Sequence, residues 1–405
     1  MYKRLALIVL LVVCGFTQGV YAQRADSLIV TNYNKLANTQ AYKMSYIAVP
    51  LMTKGLITIS LKDEVKGIRD EYVPNFDYSY DDYLQYLPGV AMIGLKAAGV
   101  ESASSWSRMI TADVFSVAIL SSSVYLLKDA CGVMRPDDST SNSFPSGHTA
   151  TAFAAATMLH KEYGKVNPWY SIGGYTLAAA TGVGRILNNR HWISDVFFGA
   201  GVGIMSVELG YWITDLIFKD RGLNDIVEYE RVDMTSSYVG LYTGFSIPIN
   251  TYNLNDKSLA LTTGVDIGVE GAYFFNEYVG IGGDITYSDM YVEYEGVEQV
   301  NPLNLMMTHA GGYFAYPVFG QTLTLDAKCL VGYSNYRDML MDDGATVLGN
   351  RDGLSMKTGA AFTIRASDYF SLRFFADYCL ANPFIANSSR VTQSVVLGNT
   401  MSIAF

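Results

Sequence analysis

The sequence predicts a multidomain α + β protein: an all-α helical bundle followed by an eight-stranded antiparallel outer-membrane β-barrel. Three observations carry this reading. Residues able to do chemistry concentrate in three short segments between Lys128 and Asp195. Downstream of about residues 220–235 the apolar pattern changes from a helical period to a period of two. Half of the residues are hydrophobic and only 16% are charged, a balance suited to contact with lipid.

A length of 405 residues gives room for about two domains. The expected order is a signal peptide at 1–22, a helical domain at 23–220, a linker at 221–236 and a barrel at 237–405. Lys3 and Arg4 precede the apolar run Leu5–Val13, and Val20-Tyr21-Ala22 offers a small-residue cleavage site. That run is too short to span a bilayer, so it reads as an export signal. Beyond Cys14 the sequence has Cys131, Cys329 and Cys379, too odd and sparse a set for a disulfide framework. The net charge of −10 speaks against a nucleic-acid partner.

Helices are expected at Tyr83–Ala97, Ser105–Lys128, Ser146–Tyr163, Pro168–Val183 and His191–Phe218. Their longest uncharged runs, Val114–Leu127 and Val196–Val207, fall short of the roughly 20 apolar residues of a spanning helix. The bundle is therefore expected to face water or lie at a membrane interface.

Eight alternating segments follow: Tyr238–Ile249, Leu259–Phe275, Val279–Val292, Asn304–Tyr316, Thr322–Tyr336, Leu354–Ser367, Phe370–Leu380 and Ser394–Phe405. Their polar faces carry both signs of charge, including Glu270, Asp284, Lys328, Lys357, Arg373 and Asp377. Mutual pairing there would fill a narrow lumen, so no pore is expected. The connections alternate long and short, as in outer-membrane barrels. Both barrel ends then lie on the short-turn side, and the helical domain is expected to hang in the periplasm.

The three segments are KDACGVMRP at Lys128–Pro136, PSGH at Pro145–His148 and GRILNNRHWISD at Gly184–Asp195. Moving a phosphoryl group requires fixed positive charge around its oxygens, an in-line nucleophile and an acid for the leaving oxygen. Lys128 and Arg135 are two helical turns apart and could share one helix face. Ser146 and Gly147 would open a helix, aiming backbone N–H groups at an anion. His191 and Asp195, four apart, would lie on one face, so that the carboxylate holds one imidazole nitrogen and frees the other.

In order and spacing these segments resemble the type 2 phosphatidic acid phosphatase family, which includes bacterial acid phosphatases and vanadium haloperoxidases. With the barrel, the chain is similar to the family's lipid A 1-phosphatase-like members. The resemblance implies that His191 forms a phosphohistidine, that Asp195 orients it and that His148 is the general acid. Lys128, Arg135, Ser146, Gly147 and Arg185 would bind phosphate, with neither metal nor cofactor. Gly184 departs from the family's serine, and the short Asp137–Phe144 connection suggests an open site with little lid.

The favoured function is hydrolysis of a lipid-linked phosphate monoester. Lipid A 1-phosphate leads, ahead of phosphatidylglycerophosphate and a polyprenyl pyrophosphate, with outer-membrane lipids as surroundings. The second reading is a broad-specificity periplasmic acid phosphatase merely anchored by the barrel, and a vanadium haloperoxidase is the third. A decayed phosphatase serving as a structural module is the reading from another class.

Overall fold

The computed structural model describes residues 39–226, 237–254, 257–319, 323–349, 351–365, 370–385 and 388–404. The expected signal peptide, most of the expected linker and Phe405 lie outside the described residues. The chain divides into two compact units, Met1–Tyr46 and Ile47–Phe405. Helix α1, Gln40–Ser45, belongs to the first, and all other elements belong to the second.

The second unit opens with α2 (Ala48–Ile57), a 3₁₀ turn (Thr58–Leu61), α3 (Lys62–Tyr72), α4 (Tyr80–Leu84) and α5 (Leu87–Ala97). Four longer helices follow: α6 (Trp106–Cys131), α7 (Gly147–Tyr163), α8 (Pro168–Leu187) and α9 (Ile193–Phe218). Their ends are written in the sequence. Gly132 takes the left-handed conformation that closes α6, with φ 57°. The Asn167 side chain caps α8 just before Pro168. The single helix expected at Tyr83–Ala97 is instead two, broken ahead of Leu87-Pro88, because proline supplies no N–H to continue the earlier helix. Sequence reasoning missed α2 and α3 altogether.

Eight strands close an antiparallel barrel in the order β1-β14-β13-β12-β9-β8-β5-β4. They are β1 (Tyr238–Pro248), β4 (Gly264–Phe274), β5 (Val279–Met290), β8 (Leu303–Phe319), β9 (Leu323–Tyr336), β12 (Arg351–Arg365), β13 (Phe370–Ala381) and β14 (Thr392–Ala404). All eight expected segments contribute one barrel strand each. At one rim the strands turn back tightly, as between Phe274 and Val279; β1 begins and β14 ends there. At the opposite rim the connections 249–263, 291–302, 337–350 and 382–391 are long and form structure of their own. They carry the four-stranded sheet β2 (Thr251–Leu254), β3 (Lys257–Leu261), β6 (Val292–Tyr294) and β7 (Val297–Glu298), and the pair β10 (Met339–Leu340) and β11 (Val347–Leu348). Tyr252, Leu259, Met339, Leu348 and Phe384 make an apolar cap there.

The lumen is solid. Lys328 Nζ lies 3.0 Å from Glu270 and 2.8 Å from Asp377, and Arg373 also pairs with Glu270 at 3.0 Å. Lys357 and His309 both hold Asp284, at 3.0 and 2.9 Å. Such charges tolerate burial only when paired in this way.

The bundle does not hang below the barrel, as the sequence reading expected, but lies along its wall. Leu51, Phe197, Ala200 and Ile204 of α2 and α9 share a buried cluster with Leu241, Ile267, Leu372 and Met401. The adjacent residues Tyr242, Asp266, Arg373 and Thr400 bond within the lumen, so by alternation the cluster sits on the outward face. Lys54 Nζ donates to Asn399 Oδ1 at 3.0 Å on that same face. Near the long-loop rim, Tyr72 stacks edge-on with Tyr287 at 4.9 Å, and Arg337 reaches Glu71 at 3.3 Å. The physical reason is mutual burial. The unrecognised α2 and α3 present apolar and aromatic side chains that the wall covers, which a tethered domain would leave in water.

Candidate active site

Four helix ends converge: the C-termini of α6 and α8 and the N-termini of α7 and α9. From them come Lys128, Arg185, Ser146 with Gly147 and His148, and His191 with Asp195. Lys128, in the last turn of α6, donates to the Asn142 carbonyl. Arg135 is not on that helix, which stops at Cys131; it stands on the following loop, where its Nε donates to Asn142 Oδ1 at 3.2 Å. The shared helix face expected for Lys128 and Arg135 is thus replaced by a helix end and a loop that meet at Asn142.

Ser146 is the buried N-cap of α7 and accepts the Thr149 N–H, while Gly147 is the first helical residue. This turn is held against α9 by backbone. The Ser146 N–H donates to the Asp195 carbonyl at 3.0 Å. Gly199 makes the approach feasible, since a Cβ there would sit 2.6 Å from the Ser146 carbonyl oxygen.

His191 precedes α9 rather than lying on it, so its nearness to Asp195 follows from the N-terminal capping geometry and not from a shared helix face. Its Nδ1 is 3.6 Å from Asp195 Oδ2 and 3.4 Å from Ser143 Oγ. The same carboxylate oxygen accepts Ser143 Oγ–H at 2.5 Å and the Trp192 N–H at 3.0 Å. Burial pushes the imidazole down to about 4, with Lys128 and Arg185 adding to it and Asp195 opposing. The ring is therefore neutral near pH 7.

The opposite wall of the site holds an anion already. Asp82 Oδ1 lies 2.9 Å from His148 Nε2 and 3.2 Å from Arg185, and buried Asp81 lies 3.2 Å from the same guanidinium. Arg185 Nε is nonetheless buried with no acceptor. Burial and then Arg185 hold His148 below its ordinary value, although Asp82 pulls the other way. All eight residues singled out in the sequence thus meet around one site. Asp81, Asp82 and Ser143 were missed. The first two sit outside every motif segment in a tyrosine-flanked pair, and nothing local marks Ser143. α4 supplies part of the site's wall through Asp81 and Asp82.

Residues 110–219 match the family model described as the PAP2 superfamily. A lipid A 1-phosphatase of Porphyromonas gingivalis is 42% identical over 200 residues, 49% of this chain and 45% of that protein. The match thus spans less than half the length of the curated relative. Among solved structures, Neisserial surface protein A is 10% identical with TM-score 0.32, covering 43% of this chain and 100% of its own. Aquifex aeolicus LpxE is 21% identical with TM-score 0.30, covering 37% of this chain and 94% of its own. The stretch that matches the PAP2 superfamily thus contains every one of the eight candidate site residues, and it is joined to a closed eight-stranded barrel.

Proposed function

We propose that the protein is a phosphatase for phosphorylated lipid, with lipid A 1-phosphate the favoured substrate, working through a phosphohistidine on His191 from the outer membrane. The observation that carries this is a neutral, buried His191 backed by Asp195, with Lys128 and Arg185 beside it and Arg135 near Arg185 and Asp195. The buried, unsatisfied Nε of Arg185 supports it, since a phosphate oxygen is the acceptor that a guanidinium fork fits. The name of the Porphyromonas gingivalis relative favours lipid A among lipid phosphates. The closed barrel, with short turns at one rim, long connections at the other and apolar residues on its outer wall, supports the outer membrane.

In this mechanism His191 Nε2 attacks phosphorus in line with the departing oxygen. The N–P bond forms as the P–O bond breaks, and His148 gives its proton to the leaving alkoxide. Water, deprotonated by His148, then cleaves the N–P bond and releases phosphate. The three cations and the Ser146–Gly147 turn stabilise charge on the equatorial oxygens throughout. The test is phosphate release by the full-length protein in detergent from lipid A, phosphatidylglycerophosphate, undecaprenyl pyrophosphate and p-nitrophenyl phosphate. A strong preference for lipid A supports the reading, whereas comparable rates on all four make the protein a broad acid phosphatase.

The pH profile follows from the two histidines. His191 must be neutral, so activity is lost as pH falls through about 4. His148 must be protonated, and its lowered value in the free enzyme means that kcat/KM declines as pH rises, below the 6.5 of an ordinary histidine. The expected profile is an acid-shifted bell. His148→Ala should remove its alkaline limb and spare p-nitrophenyl phosphate relative to lipid A, because an activated leaving group has less need of an acid.

Asp82 competes for the groups that would bind substrate. Asp82→Asn should therefore tighten inhibition by orthophosphate several-fold at unchanged fold stability, read from inhibition constants and a melting curve. Unaltered inhibition would mean that Asp82 leaves the site without cost.

A further inference from the structure

We propose that the bundle and the barrel share one bilayer, and that the catalytic end of the bundle opens at the long-loop rim, on the outer leaflet. This rests on the outer-membrane reading above, and deepens it by naming the leaflet that supplies the substrate. It reverses the periplasmic placement expected from sequence.

The first support is the surface of the bundle. Helices α6 and α9 each have 26 residues and are apolar enough to cross a membrane. At 1.5 Å per residue they are about 39 Å long, more than the roughly 30 Å of a hydrocarbon core. Only 17% of the most apolar stretch of α6 is covered by protein. Ile110, Val114, Val117 and Leu126 stand at least half exposed along it. Ion pairs tie these helices within the bundle: Arg108 of α6 pairs with Asp215 of α9, and Glu208 of α9 with Lys161 of α7 at 2.7 Å. An apolar outer face with its charges paired is the arrangement that lipid demands.

The second support is continuity. The bundle rests on the outward wall of β4, β1, β14 and β13. Elsewhere the barrel's outward face presents exposed Val239, Val269, Ile281 and Val331, the surface an outer-membrane barrel gives to acyl chains. An object lying against the apolar wall lies in the same bilayer, so the occupant of the exposed face of α6 is lipid rather than a second protein.

The direction of the helices then fixes the side. α9 starts beside Lys62 of α3, whose ammonium lies 5.0 Å over the Trp192 ring. Both ends of α3 lie at the long-loop rim: Asp63 and Glu64 stand near Tyr291, and Tyr72 and Glu71 touch Tyr287 and Arg337. From there α9 descends past Leu51 and Ala48, which cluster with Met401 and Leu372 near the short-turn rim, where β1 begins. The four catalytic helix ends are therefore level with the long loops. Outer-membrane barrels turn their long loops outward and their short turns to the periplasm. A phosphorylated amphiphile of the outer leaflet would reach His191 by lateral diffusion, with its acyl chains still in the membrane.

The chain carries its own reporter. Cys131 ends α6 at the catalytic end and is exposed. Intact cells would be treated with a charged, membrane-impermeant maleimide, with Cys131→Ser as the blank. Two markers in that blank chain calibrate the sides: Ala345→Cys in a long loop and Glu277→Cys in a short turn. Cys131 is expected to label in intact cells together with Ala345→Cys, while Glu277→Cys labels only after the outer membrane is permeabilised. The inference is overturned if Cys131 stays unlabelled in intact cells that label Ala345→Cys, or if the two markers exchange behaviour. Labelling needs no turnover, so an inactive enzyme would sink the phosphatase reading and leave this test intact.

Discussion

His191→Ala is expected to abolish phosphate release, a loss of about ten-thousand-fold or more, the scale seen when a covalent nucleophile is removed. The fold should survive. The ring is buried, yet its polar contacts are two, to Asp195 and Ser143, and those groups also bond to each other at 2.5 Å. The decisive measurement is trapping of an acid-labile, base-stable phosphoenzyme from labelled substrate. The parent protein should carry the label and the variant should not. A variant that still forms the adduct would move the nucleophile elsewhere and undo the assignment of Asp195 as its support.

Loss of Arg185 should produce the second-largest effect. Removing a preorganised donor from a developing oxyanion costs about 3 kcal/mol, or more than a hundredfold in rate. A complication is that Arg185 also neutralises Asp81, which is 1% exposed. Deleting one member of a buried pair strands the other charge and destabilises the fold. Arg185→Ala should therefore be compared with Asp81→Asn and with the double variant. If the guanidinium acts on substrate, the double variant regains melting temperature but stays at least a hundredfold slow. Recovery of both would reduce Arg185 to a structural counter-ion.

The barrel was legible because its signal is repeated: eight alternating segments each report the same inside and outside, and errors at single ends do not change the count. The site was legible because its residues are bunched in sequence. Arg135 and His191 show the limit. Their spacing suggested helix faces, yet Gly132 ends α6 before Arg135, and α9 starts only after His191. The residues still converge, through a loop and a cap whose geometry spacing cannot express. Asp82 lies 103 residues from Arg185, and a contact of that separation leaves no local trace. The resting of the bundle on the barrel was illegible for a related reason. Leu51 and Met401 are ordinary apolar residues, and their pairing exists only once both surfaces are built.

The wall under α2 and α9 includes the seam where β1 joins β14, from Tyr238 opposite Ala404 to Pro248 opposite Ser394. The seam comes into being only when the final strand arrives. The half of the chain that holds the eight site residues leaves the ribosome first, yet the surface it rests on is finished last. A polypeptide halted before β14 would hold all eight site residues yet lack the completed wall on which α2 and α9 rest.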